Sequence, residues 1–263
     1  EEIRFNVYSA TMGFSRKHVF IYSETKTEQD FIRCTNEMIK AYGGRTDEIL
    51  TDNMSAIVSI SGEGRRKHQN IIQWEKDADI AIRLCRPRSP ETKGKDESAN
   101  RFINRLIPYD RCITSREGLI RAIAVIQNDS NDKVNEEIGM APEALFRLKE
   151  KQALRELPRM SLLESYADGG ETRKVPNTFL VPFQGRQYSV PPELIGKSVR
   201  VVRNGGNIEI YYSRKVVASH TAEGKGRISY RLEDYSKGMS AACGGKDLEE
   251  LARKNVARFE AHD

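Results

Sequence analysis

Residues 83–106 read R-L-C-R-P-R-S-P-E-T-K-G-K-D-E-S-A-N-R-F-I-N-R-L. An alternating apolar run, residues 80–84, leads in as a strand and ends near Cys85. Pro87 and Pro90 then forbid regular structure. Past them the pattern predicts a helix that carries Asp96 and Glu97 among Arg88, Lys93, Lys95, Arg101 and Arg105. A carboxylate on the first turns of a helix, walled by cations, suits a metal ion working on a phosphate backbone. A solvated helix of mixed charge reads the same way in isolation. The stretch Ile49-Leu50-Thr51-Asp52-Asn53 shifts the balance, because it closes a predicted strand with a second carboxylate.

Upstream, residues 3–12 and 18–22 alternate apolar and polar positions about Gly13-Phe14-Ser15-Arg16, which predicts an antiparallel hairpin. Thr27, with Asp30 three residues on, is a helix start close to a capping box. Phe31, Cys34, Met38, Ile39 and Tyr42 follow at helical spacing, and Gly43-Gly44 ends the helix. Residues 47–51 form a short strand whose apolar pair is expected inside a sheet, with Asp52-Asn53 at its carboxyl end. Residues 62–66 read as a flexible basic loop. Ile71, Ile72, Trp74 and Glu75 read as a helix in which Trp74 is core rather than a base-stacking platform. Residues 115–126 make an amphipathic helix, and residues 128–135 a polar break. Strands and helices in this order give a mixed α/β sheet flanked by helices.

Downstream the pattern changes. Pro142 opens a short charged helix, and Asp168-Gly169-Gly170-Glu171 is the clearest linker. Short strands are predicted at 179–183, 187–190, 198–202, 208–212 and 216–219, with turns at Gln184-Gly185-Arg186 and Asn204-Gly205-Gly206-Asn207. Five strands at this spacing suggest a small all-β barrel of the SH3-like kind. In Tyr211-Tyr212, alternation puts one ring in and one out. Leu248, Leu251, Val256 and Phe259 lie on one side of a predicted tail helix, read as a docking helix. The expected divisions are a core over 1–128, a helical linker over 129–172, the barrel over 173–222 and the tail over 223–263.

A chain of 263 residues can bury one good core and carry a second small domain. No apolar run approaches the roughly 20 residues of a membrane span. Four cysteines and four histidines lie scattered without ligand spacing, which argues for reduced thiols and against a histidine metal site. The net charge is +5 and unevenly spread. Residues 83–121 hold ten Lys or Arg against five Asp or Glu, and residues 173–215 hold eight against two. Two basic segments suggest two surfaces meeting one polyanion.

Asp52 and Glu97 are the candidate catalytic and metal-holding pair. Carboxylates of this kind can hold two magnesium ions roughly 3.5–4 Å apart that act on a phosphodiester. The chain resembles the IstA family of bacterial insertion-sequence transposases, enzymes with a DDE acid triad on the RNase H-like fold of retroviral integrases. The resemblance is carried by Gly13-Phe14-Ser15-Arg16, Tyr42-Gly43-Gly44, Leu50-Thr51-Asp52-Asn53, Arg86-Pro87-Arg88 running into Lys93-Gly94-Lys95-Asp96-Glu97, and Tyr188-Ser189-Val190-Pro191-Pro192.

By that resemblance Asp52 is the second acid and Glu97 the third, with Asp96 a neighbour. The family's first Asp lies on the strand before the hairpin. No residue here matches it, so the chain is expected to enter the fold after that strand and to hold an incomplete triad. The resemblance implies Mg2+ or Mn2+, two ions in the complete site, and double-stranded DNA as transposon ends and target. It also implies a homodimer or higher oligomer, an AAA+ ATPase helper, and a place in the bacterial cytoplasm at the nucleoid. Arg86, Arg88, Lys93, Lys95, Asn100, Arg101 and Arg105 are candidate DNA contacts near the acids. Arg186, Lys197, Arg200 and Arg203 are candidates on the barrel. A non-catalytic DNA-binding or assembly module of the same fold, or a structure-specific nuclease, is the alternative.

Overall fold

The computed structural model describes residues 4–61, 64–85, 104–223 and 226–242. The chain divides into two compact units, Glu1–Leu163 and Glu164–Asp263.

The first unit opens on the expected hairpin. Strands β1 (Asn6–Thr11) and β2 (His18–Ser23) pair antiparallel, from Asn6 opposite Ser23 to Thr11 opposite His18. Helix α1 (Glu28–Tyr42) starts at a full capping box. The Asp30 N–H donates to Thr27 Oγ1 at 3.2 Å, and the Thr27 N–H donates back to Asp30 Oδ2 at 3.1 Å. Burial alone would raise the Asp30 carboxyl, but hydrogen bonds from Thr25 and Thr27 hold it well below the usual range. The helix ends at Gly43, whose φ of 75° is left-handed. Gly44 allows a close approach, because a Cβ there would lie 2.8 Å from the Arg155 carbonyl oxygen. That contact belongs to a bridge in which Arg45 and Arg155 exchange backbone bonds of 3.0 Å.

Strand β3 (Glu48–Thr51) pairs in parallel with β6 (Ala81–Leu84). Between them lie β4 (Val58–Ser61), β5 (Gly64–Lys67) and helix α2 (Gln69–Ala78). β4 and β5 form an antiparallel hairpin, so Arg65 and Arg66 sit on a strand rather than in the expected flexible loop. Trp74 is fully buried and donates its indole N–H to Asn36 Oδ1 at 3.0 Å, in line with its reading as core.

Helix α3 (Arg116–Asp132), capped by Ser115, runs straight through much of the expected polar break. The reason is tertiary. Gln127 Oε1 accepts from the Phe20 N–H at 2.7 Å, while Asn131 accepts from the His18 N–H and donates to its carbonyl, both at 2.8 Å. Two amides one turn apart thus occupy the outer edge of β2, where a further strand would otherwise bond. A short helix, α4 (Pro142–Leu145), continues into a π-helical stretch at Phe146–Glu150. There Glu150 accepts from the Phe14 and Ser15 N–H groups at 3.1 and 3.0 Å and fixes the β1–β2 turn. Two apolar clusters hold this layer together. One joins Phe20 to Leu119, Ala122, Ile123 and Ile126; the other joins Met12, Val19, Met38 and Tyr42 to Phe146.

The expected single mixed sheet is divided. Among the described residues β1 pairs only with β2, and β3 only with β6. Leu50, expected inside a sheet, is 47% exposed because β3 is flanked on one side only.

The second unit contains two sheets around one core. β12 (Lys215–Thr221), β11 (Asn207–Tyr212), β10 (Ser198–Asn204) and β7 (Glu171–Lys174) form one antiparallel sheet in that order. β13 (Ile228–Ser229), β9 (Arg186–Ser189) and β8 (Leu180–Phe183) form the other. The turns fall where predicted: Gln184 and Gly185 have φ of 48° and 80°, the twist a two-residue hairpin needs. Glu171, read as linker, instead begins β7. Val181, Val190, Val201 and Ile210 are fully buried in the shared core. Tyr211 is buried and Tyr212 only partly so; one ring goes in and one stays out as expected, but the irregularity between Ile210 and Tyr211 decides which, since strict alternation from the buried Ile208 and Ile210 would have turned Tyr212 inward. Helix α6 (Leu232–Ala242) follows β13; a five-residue helix, α5 (Met160–Glu164), lies at the division between the units. The predicted tail helix lies outside the described residues.

Candidate functional site

Asp52 stands one residue beyond β3, at the carboxyl end of the parallel pair, and is exposed. Parallel strands leave their carboxyl ends open, and ligands gather there. The outer edges of the two ladders are already taken. β2 is closed by Gln127 and Asn131. On β6, the Ile82 N–H donates to Glu75 Oε1 at 2.6 Å, and its carbonyl accepts from Lys67, whose Nζ also reaches Glu75 at 2.6 Å. The edges left without a ladder partner among the described residues are those of β1 and β3.

Tyr8 on β1 marks the same region. Burial pushes its phenol up to about 12, with Cys34, Asp30 and Asp52 adding their negative potential against Arg33. Its hydroxyl is buried and has no hydrogen-bond partner among the described residues. The end of β3 is held by side chains. Asn53 Nδ2 donates to the Cys85 carbonyl at 3.1 Å, and Arg65 Nη1 donates to Asn53 Oδ1 at 2.9 Å and to the Cys85 carbonyl at 3.2 Å. The carboxylate here is an oxygen donor, the type a hard divalent cation takes. No group of three His, Cys, Asp or Glu side chains among the described residues is placed to hold a metal.

Glu97, with Asp96, Arg86, Arg88, Lys93, Lys95, Asn100 and Arg101, lies outside the described residues. Arg105 is described: it is exposed and donates to Ser130 Oγ on α3. In the second unit the four candidates part company. Arg200 is a correction. It is 8% exposed, stacks 3.8 Å from the Tyr166 ring centre, and donates to Ser165 Oγ, the Ser165 carbonyl and Thr172 Oγ1 at 3.1, 2.8 and 3.2 Å. Its guanidinium ties β10 to the segment before β7 and is not offered to DNA. Arg186 likewise spends its donors on the Gly226 and Ala222 carbonyls, at 2.6 and 2.9 Å. Lys197 and Arg203 are exposed and remain presented to a partner. Sequence reasoning missed Asn53, Arg65 and Tyr8. The Asp-Asn pair was a signal for Asn53; Arg65 had none, since its strand read as a loop.

Two family models match the chain. Residues 1–90 match the integrase core domain, and residues 168–236 match the Mu transposase C-terminal domain. The chain is 25% identical to the transposase of insertion sequence element IS232 of Bacillus thuringiensis subsp. berliner, over 98% of this chain and 60% of that protein. It is 25% identical to the putative transposase of IS5376 of Geobacillus stearothermophilus, over 88% and 56%. With the transposase of IS21 of Pseudomonas aeruginosa the identity is 28%, over 80% and 54%. The chain is thus similar to insertion-sequence transposases over most of its length, with an integrase-core match followed by a Mu transposase C-terminal match. It spans 54–60% of the length of these relatives.

Proposed function

We propose that this chain is the catalytic-core and C-terminal portion of a DNA transposase. The complete protein joins a transposon 3′-hydroxyl to target DNA by metal-assisted transesterification on an RNase H-like core. The observation that carries this reading is the exposed Asp52 carboxylate at the open end of the β3–β6 pair, inside the segment that matches an integrase core. Asp52 acts as the second acid and Glu97 as the third. The first acid comes from a strand that seats between the unladdered edges of β1 and β3, beside Tyr8. Asp52, Glu97 and the first acid would hold divalent ions, Mg2+ or Mn2+, which would supply activation of the attacking hydroxyl and neutralisation of the leaving oxygen.

The second unit is read as the SH3-like barrel, and Lys197 and Arg203 as its phosphate contacts. Arg86, Arg88, Lys93, Lys95, Asn100, Arg101 and Arg105 are read as further DNA contacts, from their place in the sequence around Glu97. The assembled enzyme is a dimer or higher oligomer on paired transposon ends, aided by an AAA+ ATPase, in the bacterial cytoplasm. No helix among the described residues is long and apolar enough to cross a membrane.

The test is strand transfer by the full-length protein on an oligonucleotide transposon end. Asp52→Ala and Glu97→Ala are each expected to lower the rate by at least about a thousandfold while leaving end binding intact, as loss of one member of a catalytic unit does. Full activity in both variants would end the catalytic reading of Asp52 and Glu97.

A further inference from the structure

The β3–β6 ladder has a last backbone bond, from the Cys85 N–H to the Thr51 carbonyl at 2.8 Å. Asp52 is the next residue, and a strand end released at this point would normally fray. Here the residue after it is tied to the same partner. Asn53 Nδ2 donates to the Cys85 carbonyl at 3.1 Å, so Thr51 and Asn53, on either side of Asp52, are both fastened to Cys85. Arg65, reaching across from β5, completes a triangle through Nη1, at 2.9 Å from Asn53 Oδ1 and 3.2 Å from the Cys85 carbonyl. A guanidinium has only donors, so it dictates which way the Asn53 amide faces. Oδ1 must turn to Arg65, and Nδ2 is thereby turned to Cys85.

We infer that Asn53 and Arg65 are positioning residues for the Asp52 carboxylate. Asn53 extends the ladder by one side-chain rung, and Arg65 locks the amide that makes it. Neither touches substrate; both act through the backbone from which Asp52 projects. This inference rests on the strand-transfer reading of Asp52. Partners that orient a metal-holding side chain typically alter metal affinity 10–100-fold when removed.

The experiment is a Mn2+ titration, followed by electron paramagnetic resonance, of the full-length protein bound to a transposon-end oligonucleotide. Thermal unfolding is measured in parallel. Asn53→Ala and Arg65→Ala should each weaken Mn2+ binding about tenfold or more. The loss in the double variant should fall well short of the sum of the two single losses, because Arg65 acts largely through Asn53. Arg65→Lys, which keeps a donor for Asn53, should recover most of the affinity and serves if Arg65→Ala fails to fold. Wild-type affinity in Asn53→Ala and Arg65→Lys, with binding lost in Asp52→Ala, would overturn the inference while sparing the catalytic reading. Additive losses in the double variant would also overturn it, since Arg65 would then act independently of Asn53. Wild-type affinity in Asp52→Ala would instead remove the catalytic reading itself.

Discussion

The two units solve the problem of strand edges in opposite ways. In the second, the seven strands among the described residues lie in two sheets around one apolar core, and a buried polar network ties α6 to it. Ser189 Oγ donates to Asp234 and accepts from the Arg231 N–H, both at 2.8 Å, while His220 bridges the Ser189 carbonyl and Ser229 Oγ at 2.8 and 3.0 Å. In the first, the strands stand in pairs whose outer edges are closed by side chains, and the edges of β1 and β3 carry no described ladder. A unit that closes on itself can be stable alone but offers chemistry only on its outer face. The first unit leaves the Asp52 carboxylate exposed beyond β3, where hydrogen bonds among Asn53, Arg65 and Cys85 join the strand end to its neighbours.

Selective damage to each unit would break this comparison, or sharpen it. The largest effect belongs to the core of the second unit. Ile210→Ala should destabilise that unit by about 2–5 kcal/mol. Trp74, the single tryptophan, lies in the first unit, so its fluorescence reports that unit by itself. The tyrosine near-ultraviolet signal, rich in second-unit residues, should shift to lower denaturant while the Trp74 transition stays in place. A common shift of both signals would show that the units unfold as one.

A somewhat smaller effect comes from acid. Burial, opposed by the hydrogen bond to the Ser189 carbonyl and helped by Arg231 and Arg186, brings the His220 imidazole down to about 4. The folded form is therefore depressed below the unfolded value of about 6.5. The stability that follows is present above about pH 6.5 and lost as the pH falls towards 4, roughly 3 kcal/mol in all. Asp234, whose carboxyl burial raises, works the other way in acid. The difference between wild type and His220→Gln is thus the quantity to follow, by urea unfolding from pH 7 to 4. A pH-independent difference would sink the assignment. The smallest effect is in the first unit, where Thr27→Ala removes the capping hydroxyl of α1 and should cost about 1 kcal/mol in the Trp74-monitored transition alone.

Much of this was legible because it is local. The Thr27–Asp30 box, the glycines after Tyr42, the β1–β2 alternation and the turn at Gln184-Gly185 each need only neighbours in sequence. The site was half legible. Asp52 after an apolar strand could be picked out, and its Asn neighbour was visible. Arg65 could not be found, because its value depends on a hairpin that carries it back to Asn53 and Cys85. Arg200 misled for the complementary reason: an arginine in a basic segment reads as a phosphate contact until Ser165, Thr172 and Tyr166 are seen to consume it.

The amino-acid sequence by itself determined the order of the elements, their caps and turns, and the carboxylate at the end of β3, since these follow from periodicity and backbone preference over a few residues. Only the tertiary structure decided which polar side chains stand in for missing strands and which cations are spent inside the protein. Hydrogen bonds between residues 12 to 113 positions apart, such as Arg65 to Asn53 and His18 to Asn131, leave no periodic trace in the chain that makes them.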